Sequence, residues 1–476
     1  MKLQKITKLD NNKNLVLLIK KDSKLNIYGL SEVEQKFAEK QIEDDKKNVE
    51  INQYTRKIFI QIFDEKEEDK IYKLKEKFRK AAYTICGKLN ADKINEVQII
   101  SLHSTELTFV FVEALVLSNH QYLKYFTKDL DKKTNTLDTI NVLHNNLKEE
   151  DFSEIKNITQ GVFATRNLVN EIPAELTSIK LAEELKALSK QAGFEIEVFN
   201  KAKIESLKMG GLLAVNRASN YEPTFSIMTW KPKNAKNKKP IVLVGKGIVY
   251  DTGGMSLKPS QYMVEMKSDM AGAATVAGII YAVAKQKLPL YVIALAPSTD
   301  NAVNNKAYVP DDVIKMHNGM TVEIGNTDAE GRLILADALS YAQKYDPELV
   351  FDFATLTGAA VRAVGNEAIA IMGTAQKETF KNVECAGRQT YERTIQFPLW
   401  DEYGEQIKSK IADIKNIGGA YAGQITAGKF LEHFTNYPWI HFDIAGTAYL
   451  PKNKSYAGTG GTGSAVRLVY NFLKKY

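Results

Sequence analysis

Apolar positions along this chain follow two rhythms. Short apolar runs such as residues 57–63, Lys-Ile-Phe-Ile-Gln-Ile-Phe, and 107–112, Leu-Thr-Phe-Val-Phe-Val, read as strands. Between them lie charged stretches with helical spacing, of which 70–88 is the clearest. This alternation predicts a small α/β domain over residues 1–150, ending in the polar stretch 134–150.

Beyond Phe152 the pattern changes. Strongly apolar strands are expected at 225–230, 240–244, 290–296 and 349–353, with helices at 181–192, 270–285 and 333–344. Pro289 and Pro347 stop two of those helices. Nearly continuous apolar strands separated by helices indicate a sheet covered on both faces. The predicted fold class is α/β with two domains. Residues 151–476 carry a mostly parallel central sheet flanked by helices, and a smaller α/β domain precedes it.

Composition narrows the classes. A chain of 476 residues exceeds the usual single-core size, and 44% hydrophobic with 25% charged residues excludes a disordered or collagenous protein. The net charge of +7 permits anionic partners without requiring them. Cys86 and Cys385 form no CxxC pair and no disulfide framework, which fits a reducing cytoplasm. The first apolar stretch, Leu15 to Ile19, is too short for a signal peptide. Residues 270–284 are Ala/Gly-rich and fall short of the roughly 20 residues a bilayer span needs, so no membrane association is expected.

Candidate chemistry concentrates in three segments at strand ends. The first runs from Val244 to Pro259 and holds Lys246, Asp251 and Lys258 among glycines; it lacks the GxxxxGK[ST] spacing of a phosphate loop. The second places Asp269 at the entry to the small-residue helix, where taken alone it reads as an N-cap. The third is Asn326-Thr327-Asp328-Ala329-Glu330-Gly331-Arg332-Leu333, leading into an apolar helix. Asp251, Asp269, Asp328 and Glu330 are thus four carboxylates on apolar-flanked loops. Grouped and unpaired they would be very costly, whereas two divalent cations would balance them. The expectation is a dinuclear, hydrolytic site.

The string Asn326 to Leu333, with the intervals between Lys246, Asp251, Lys258, Asp269 and Asp328, resembles the leucine aminopeptidase (cytosol aminopeptidase) family of dinuclear metallopeptidases over roughly residues 160–475. The resemblance implies that Asp251 and Glu330 bridge two divalent ions, zinc and/or manganese. Lys246 and Asp269 complete the tighter site, and Asp328 completes the more exchangeable one. It further implies removal of N-terminal residues, leucine and other apolar ones preferred, by a metal-bridging water. Lys258 would stabilise the oxyanion, and Arg332 would hold bicarbonate as general base. Thr355, Leu356 and Gly358 would contact the peptide and, with Met266, line the first side-chain pocket. Peptides with a free N-terminus are the implied substrates. The implied assembly is a homo-hexamer, a dimer of trimers, in which the N-terminal domain serves assembly and access.

Two other readings stand beside this one. A two-metal phosphoesterase could use the same carboxylates, but it gives no reason for the Asn326–Leu333 string. A secondary DNA-binding role would draw on the net basic charge, yet the lysines are dispersed, and the run 231–239 reads as a solvated loop. Residues 458–463 fit GxGxxG, but too little chain follows for a dinucleotide-binding unit, so they read as a tight turn.

Overall fold

Runs of β-branched and aromatic residues set the sheets of this protein, and helices with one apolar stripe cover them. The computed structural model describes residues 1–25, 28–65 and 70–476. It divides into two compact units, residues 1–159 with 454–458, and residues 160–453 with 459–476.

In the N-terminal unit the strands are β1 (Lys2–Lys5), β2 (Leu15–Ile19), β3 (Asn48–Asn52), β4 (Lys57–Ile62), β5 (Glu96–Ser101) and β6 (Thr139–Leu143). Their order is β1-β6-β5-β2-β4-β3, parallel throughout except for the edge pair β3–β4. Helix α1 (Glu32–Glu43) starts in a capping box of Ser31 and Glu34, and Ala38 and Ile42 join Leu15, Leu17, Ile58 and Ile60 in one apolar cluster. Helix α2 (Ile71–Ala91) packs against α3 (Thr105–Ser118).

Helix α3 corrects the sequence reading, because residues 107–112 are helical rather than a strand. Ser104 caps the helix by accepting from the Leu107 N–H, and ten of its fourteen residues are buried. A helix buried nearly all round loses its polar stripe and with it the periodicity that distinguishes helix from strand. The polar stretch 134–150 contains β6 and the start of the helix Glu149–Asn170.

In the second unit β7 (Glu195–Phe199), β8 (Thr224–Trp230), β9 (Ile241–Gly245), β10 (Gly247–Asp251) and β11 (Val292–Asn301) join a nine-stranded sheet with strands Leu349–Ala354, Ile369–Gly373, Thr394–Gln396 and Trp439–Asp443. The central run of Trp439–Asp443, Leu349–Ala354, β9 and β11 is parallel, with β10 added alongside β11. Helices Ala271–Lys285 and Gly331–Ala342 are buried along their length. The carboxyl ends of β9, β10 and the neighbouring strands therefore meet at one edge, where the acidic segments emerge. Residues 458–463 are not a simple tight turn: they have left-handed glycines at 458, 460 and 463 and contain the short strand Gly460–Gly461, which pairs antiparallel with Tyr449–Leu450, before the helix Val466–Lys475. No helix among the described residues is long and apolar enough to cross a membrane.

Candidate metal centre

Lys246 is the single residue between β9 and β10. Its N–H donates to the Phe353 carbonyl at 3.0 Å, and its own carbonyl accepts from Ala273 N–H at 2.8 Å. The flanking glycine contact makes this possible. A Cβ on Gly245 would lie 2.3 Å from the Gly272 oxygen, and one on Gly272 would lie 2.0 Å from that of Phe353. Backbone thus passes directly beneath the first turn of the helix Ala271–Lys285. The buried Lys246 side chain reaches onward, with Nζ 2.8 Å from Asp269 Oδ2 and 2.9 Å from Glu330 Oε1, and donates to the Thr355 carbonyl at 3.1 Å.

Asp251 ends β10 opposite Asn301 of β11. Its Oδ1 accepts from Asn301 Nδ2 and from Gly253 N–H, each at 2.8 Å, and its Oδ2 lies 2.9 Å from Lys258 Nζ. The Lys258 N–H bonds back to the Thr252 carbonyl at 2.9 Å, closing the turn that returns this lysine to the site. Lys258 also pairs with Asp328. Asn301 Nδ2 donates in addition to the Thr327 carbonyl at 3.0 Å, and Tyr308 Oη does so at 2.8 Å. Together they fix the third segment against the first.

Asp269 does not cap the helix that follows it. It sits in the 3-10 turn Met266–Met270, where Oδ1 accepts from the Thr355 hydroxyl at 2.7 Å and Oδ2 faces the Lys246 ammonium. Asp251, Asp328 and Glu330 offer oxygens that all lie within 4.8 Å of one another. Glu330 Oε2 is buried with no hydrogen-bond partner, and the buried Asp269 Oδ2 and Asp328 Oδ1 meet only lysine ammoniums. Four carboxylates against two lysines leave an excess of negative charge in a largely buried place.

The ionisation of these groups follows from that excess. Burial, reinforced by the Asp251 charge, pushes Glu330 up to about 8; burial, opposed by Lys246 and reinforced by Asp251, pushes Asp269 up to about 7. Burial also raises Asp328. For Lys246 burial acts downward, but Asp269, Glu330 and Asp251 outweigh it and hold the ammonium above the ordinary lysine range. Lys258 is held up in the same way by Asp251 and Asp328. An oxygen-rich donor set with unpartnered buried lone pairs fits hard divalent cations. Lys246 can join as a nitrogen donor once a cation displaces its proton.

The remaining expected residues lie on segments adjoining these in the chain or the fold. Met266 is half-buried at the start of the turn that carries Asp269. Thr355 follows the strand Leu349–Ala354; its hydroxyl is given to Asp269 and its carbonyl to Lys246, while Leu356 packs partly on the core and Gly358 is exposed at the start of the helix Gly358–Val364. Arg332 is buried and donates Nη1 to the Asn416 carbonyl at 2.7 Å, while its Nε has no partner. Burial lowers this guanidinium to about 10.

Sequence reasoning missed three positioning groups, Asn301, Tyr308 and Asn416, while Asp443 lies in the segment His441–Gly446, which the sequence marks as structural. Asn416 Oδ1 accepts from Gly325 N–H at 2.7 Å and its Nδ2 donates to the Asn326 carbonyl at 2.7 Å, bracing the acidic loop. Asp443 accepts from Leu356 N–H at 3.1 Å and from the Thr357 hydroxyl at 2.7 Å, bracing the loop after Thr355. Only a polar Asp-Asn pair at the end of an apolar strand, 300–301, was available as a signal.

Fold and site together define a class, an α/β protein with a lysine- and carboxylate-lined cation site at the carboxyl edge of a mostly parallel sheet. The profile of the cytosol aminopeptidase family, catalytic domain, matches residues 163–470, and the chain belongs to that family. A probable cytosol aminopeptidase of Chloroherpeton thalassium is 48% identical over 314 residues, covering 65% of this chain and 61% of that protein, so the match spans about three fifths of that relative. Its counterpart in Chlorobium limicola is 40% identical over 427 residues, covering 84% of this chain and 83% of that protein. The solved structure of a bottromycin maturation enzyme, BotP, in complex with Mn superposes with a TM-score of 0.85 at 26% identity, covering 98% of this chain and 99% of that one.

Proposed function

We propose that this protein is a metal-dependent aminopeptidase that releases the N-terminal residue, leucine and other apolar residues preferentially, from peptides. The observation that carries the reading is the convergence of Lys246, Asp251, Asp269, Asp328 and Glu330 on one buried locus in a chain of this family. Those five residues would hold two divalent ions, manganese or zinc, and the related Mn complex supports manganese. When bound, the ions supply an anchor for the substrate amine, polarisation of the scissile carbonyl and a water of lowered pKa.

The chain's own groups divide the remaining work. Lys258 keeps its proton across the physiological range, because two carboxylates hold it, and so presents a fixed positive charge toward the developing oxyanion. Arg332, anchored through Nη1, keeps Nε free for a planar bicarbonate, the proposed base. Thr355 orients Asp269 and Lys246, and its loop, with Leu356 and Gly358, offers backbone to the peptide. Met266 gives the first side-chain pocket an apolar, adaptable wall, which favours leucine-like residues. The same reading carries a homo-hexamer working in the cytoplasm.

Mass spectrometry of a leucine-initiated pentapeptide incubated with the manganese-loaded protein tests this. Stepwise loss of residues from the free N-terminus, with the N-acetylated peptide intact, is the expected result. Internal or C-terminal cleavage contradicts it.

A further inference from the structure

The N-terminal unit holds a crevice of about 630 Å³ at the carboxyl edge of its parallel sheet. Loops after β1, β5 and β6 line it, and Tyr28 joins them from the chain following β2. The sheet order gives this place its meaning. The connection leaving β2 runs toward β4, whereas the one leaving β5 runs the other way, toward β6. β2 and β5 are adjacent and parallel, so their carboxyl ends diverge at a topological switch point. Open parallel sheets bind small molecules in the crevice outside such a point.

The lining has a definite chemistry. Lys8 is exposed and makes no ion pair among the described residues, and no lining residue among them is acidic. The side-chain amide of Asn11 makes no hydrogen bond among the described residues, which leaves both donor and acceptor free. His144 Nε2 meets the His103 carbonyl at 3.1 Å; His103 Nδ1 lies 2.7 Å from Glu65, while its Nε2 is buried without a partner. Leu102 and Leu143 add apolar wall. A volume of this size lies within the range of small-molecule sites and is far more than an inorganic anion fills.

We propose that this crevice is a second ligand site, separate from the peptidase centre and independent of that reading, for a phosphomonoester of a small hydroxylated organic molecule. Lys8 would take the phosphate, the free amides the hydroxyls, and the leucines the organic skeleton.

Isothermal titration calorimetry on the full chain tests it with AMP and ribose 5-phosphate as probes, and adenosine and inorganic phosphate as controls. The expected result is binding of at least one phosphomonoester about 10-fold or more tighter than either control, with Lys8→Glu weakening it by about 10-fold or more. Asn11→Asp, which turns a free amide into a carboxylate, should weaken it as well. Hydrolysis of a leucyl amide by both variants should be unchanged, since neither residue belongs to the metal centre. If neither phosphomonoester exceeds inorganic phosphate, or if Lys8→Glu binds as tightly as the parent, the site is not one for such ligands and the proposal fails.

Discussion

Gly331 lies so close to Lys246 that a Cβ built on it would sit 2.4 Å from the lysine Cε and 2.6 Å from Nζ. The glycine after Glu330 is therefore the gap through which the lysine reaches Asp269 and Glu330. Gly331→Ala should keep the helix, since alanine suits it, but push Lys246 aside. We expect a loss in kcat/KM of about 100-fold, the scale of an ångström's misplacement in a site, together with weaker metal retention. Circular dichroism, metal content and initial rates check this; parental activity in the Gly331→Ala variant contradicts it.

Asp443 acts at one remove. It fastens Leu356 and Thr357, whose neighbour Thr355 holds both Asp269 and Lys246. Asp443→Ala should lower kcat by about 10- to 100-fold and leave the Leu356 N–H without its acceptor, whereas Asp443→Asn, which still offers an acceptor oxygen, should retain more of the rate. Equal losses in the two variants would contradict a positioning role.

On the proposed reading Lys258 contributes charge rather than binding surface. Lys258→Met should reduce kcat by about 100- to 1000-fold with KM nearly unchanged, the signature of an interaction made in the transition state. A rise in KM at constant kcat would instead show that the lysine holds substrate.

The raised carboxyls set a pH dependence. In the metal-free protein Asp269 titrates at about 7 and Glu330 at about 8, above unfolded-chain values of about 4. The folded state therefore retains protons that the unfolded chain gives up. This contribution to stability is fully present below about pH 4 and is lost as pH rises through 7 to 8. Thermal melts of chelated protein should show Tm falling from about pH 5.5 to about pH 8.5, and manganese affinity should tighten over the same window because binding expels those protons. A chelated Tm that climbs with pH in this range contradicts the assignment.

Much of this was legible beforehand because the catalytic sheet is nearly all apolar and its helices begin and end at glycines, prolines and acids. The Asn326–Leu333 string and the spacing of Lys246, Asp251, Lys258 and Asp269 marked residues that the fold does bring together. Helix α3 was not legible, since a helix buried on nearly every side carries no 3.6-residue rhythm. Nor were Asn301 and Asn416, because their partners lie tens of residues away along the chain. The titration of Lys246 is likewise tertiary. Nothing near it in sequence foretells Asp269 and Glu330 on either side.

The most direct measurement is the initial rate on a leucyl chromogenic amide, taken before chelation, after it, and after manganese or zinc is returned, with the N-acetyl-leucyl amide alongside. The account predicts that cleavage disappears with the metal, returns with it, and stays confined to the free amine. Cleavage that survives chelation, or a folded and metal-loaded protein that leaves the leucyl amide intact, would contradict it.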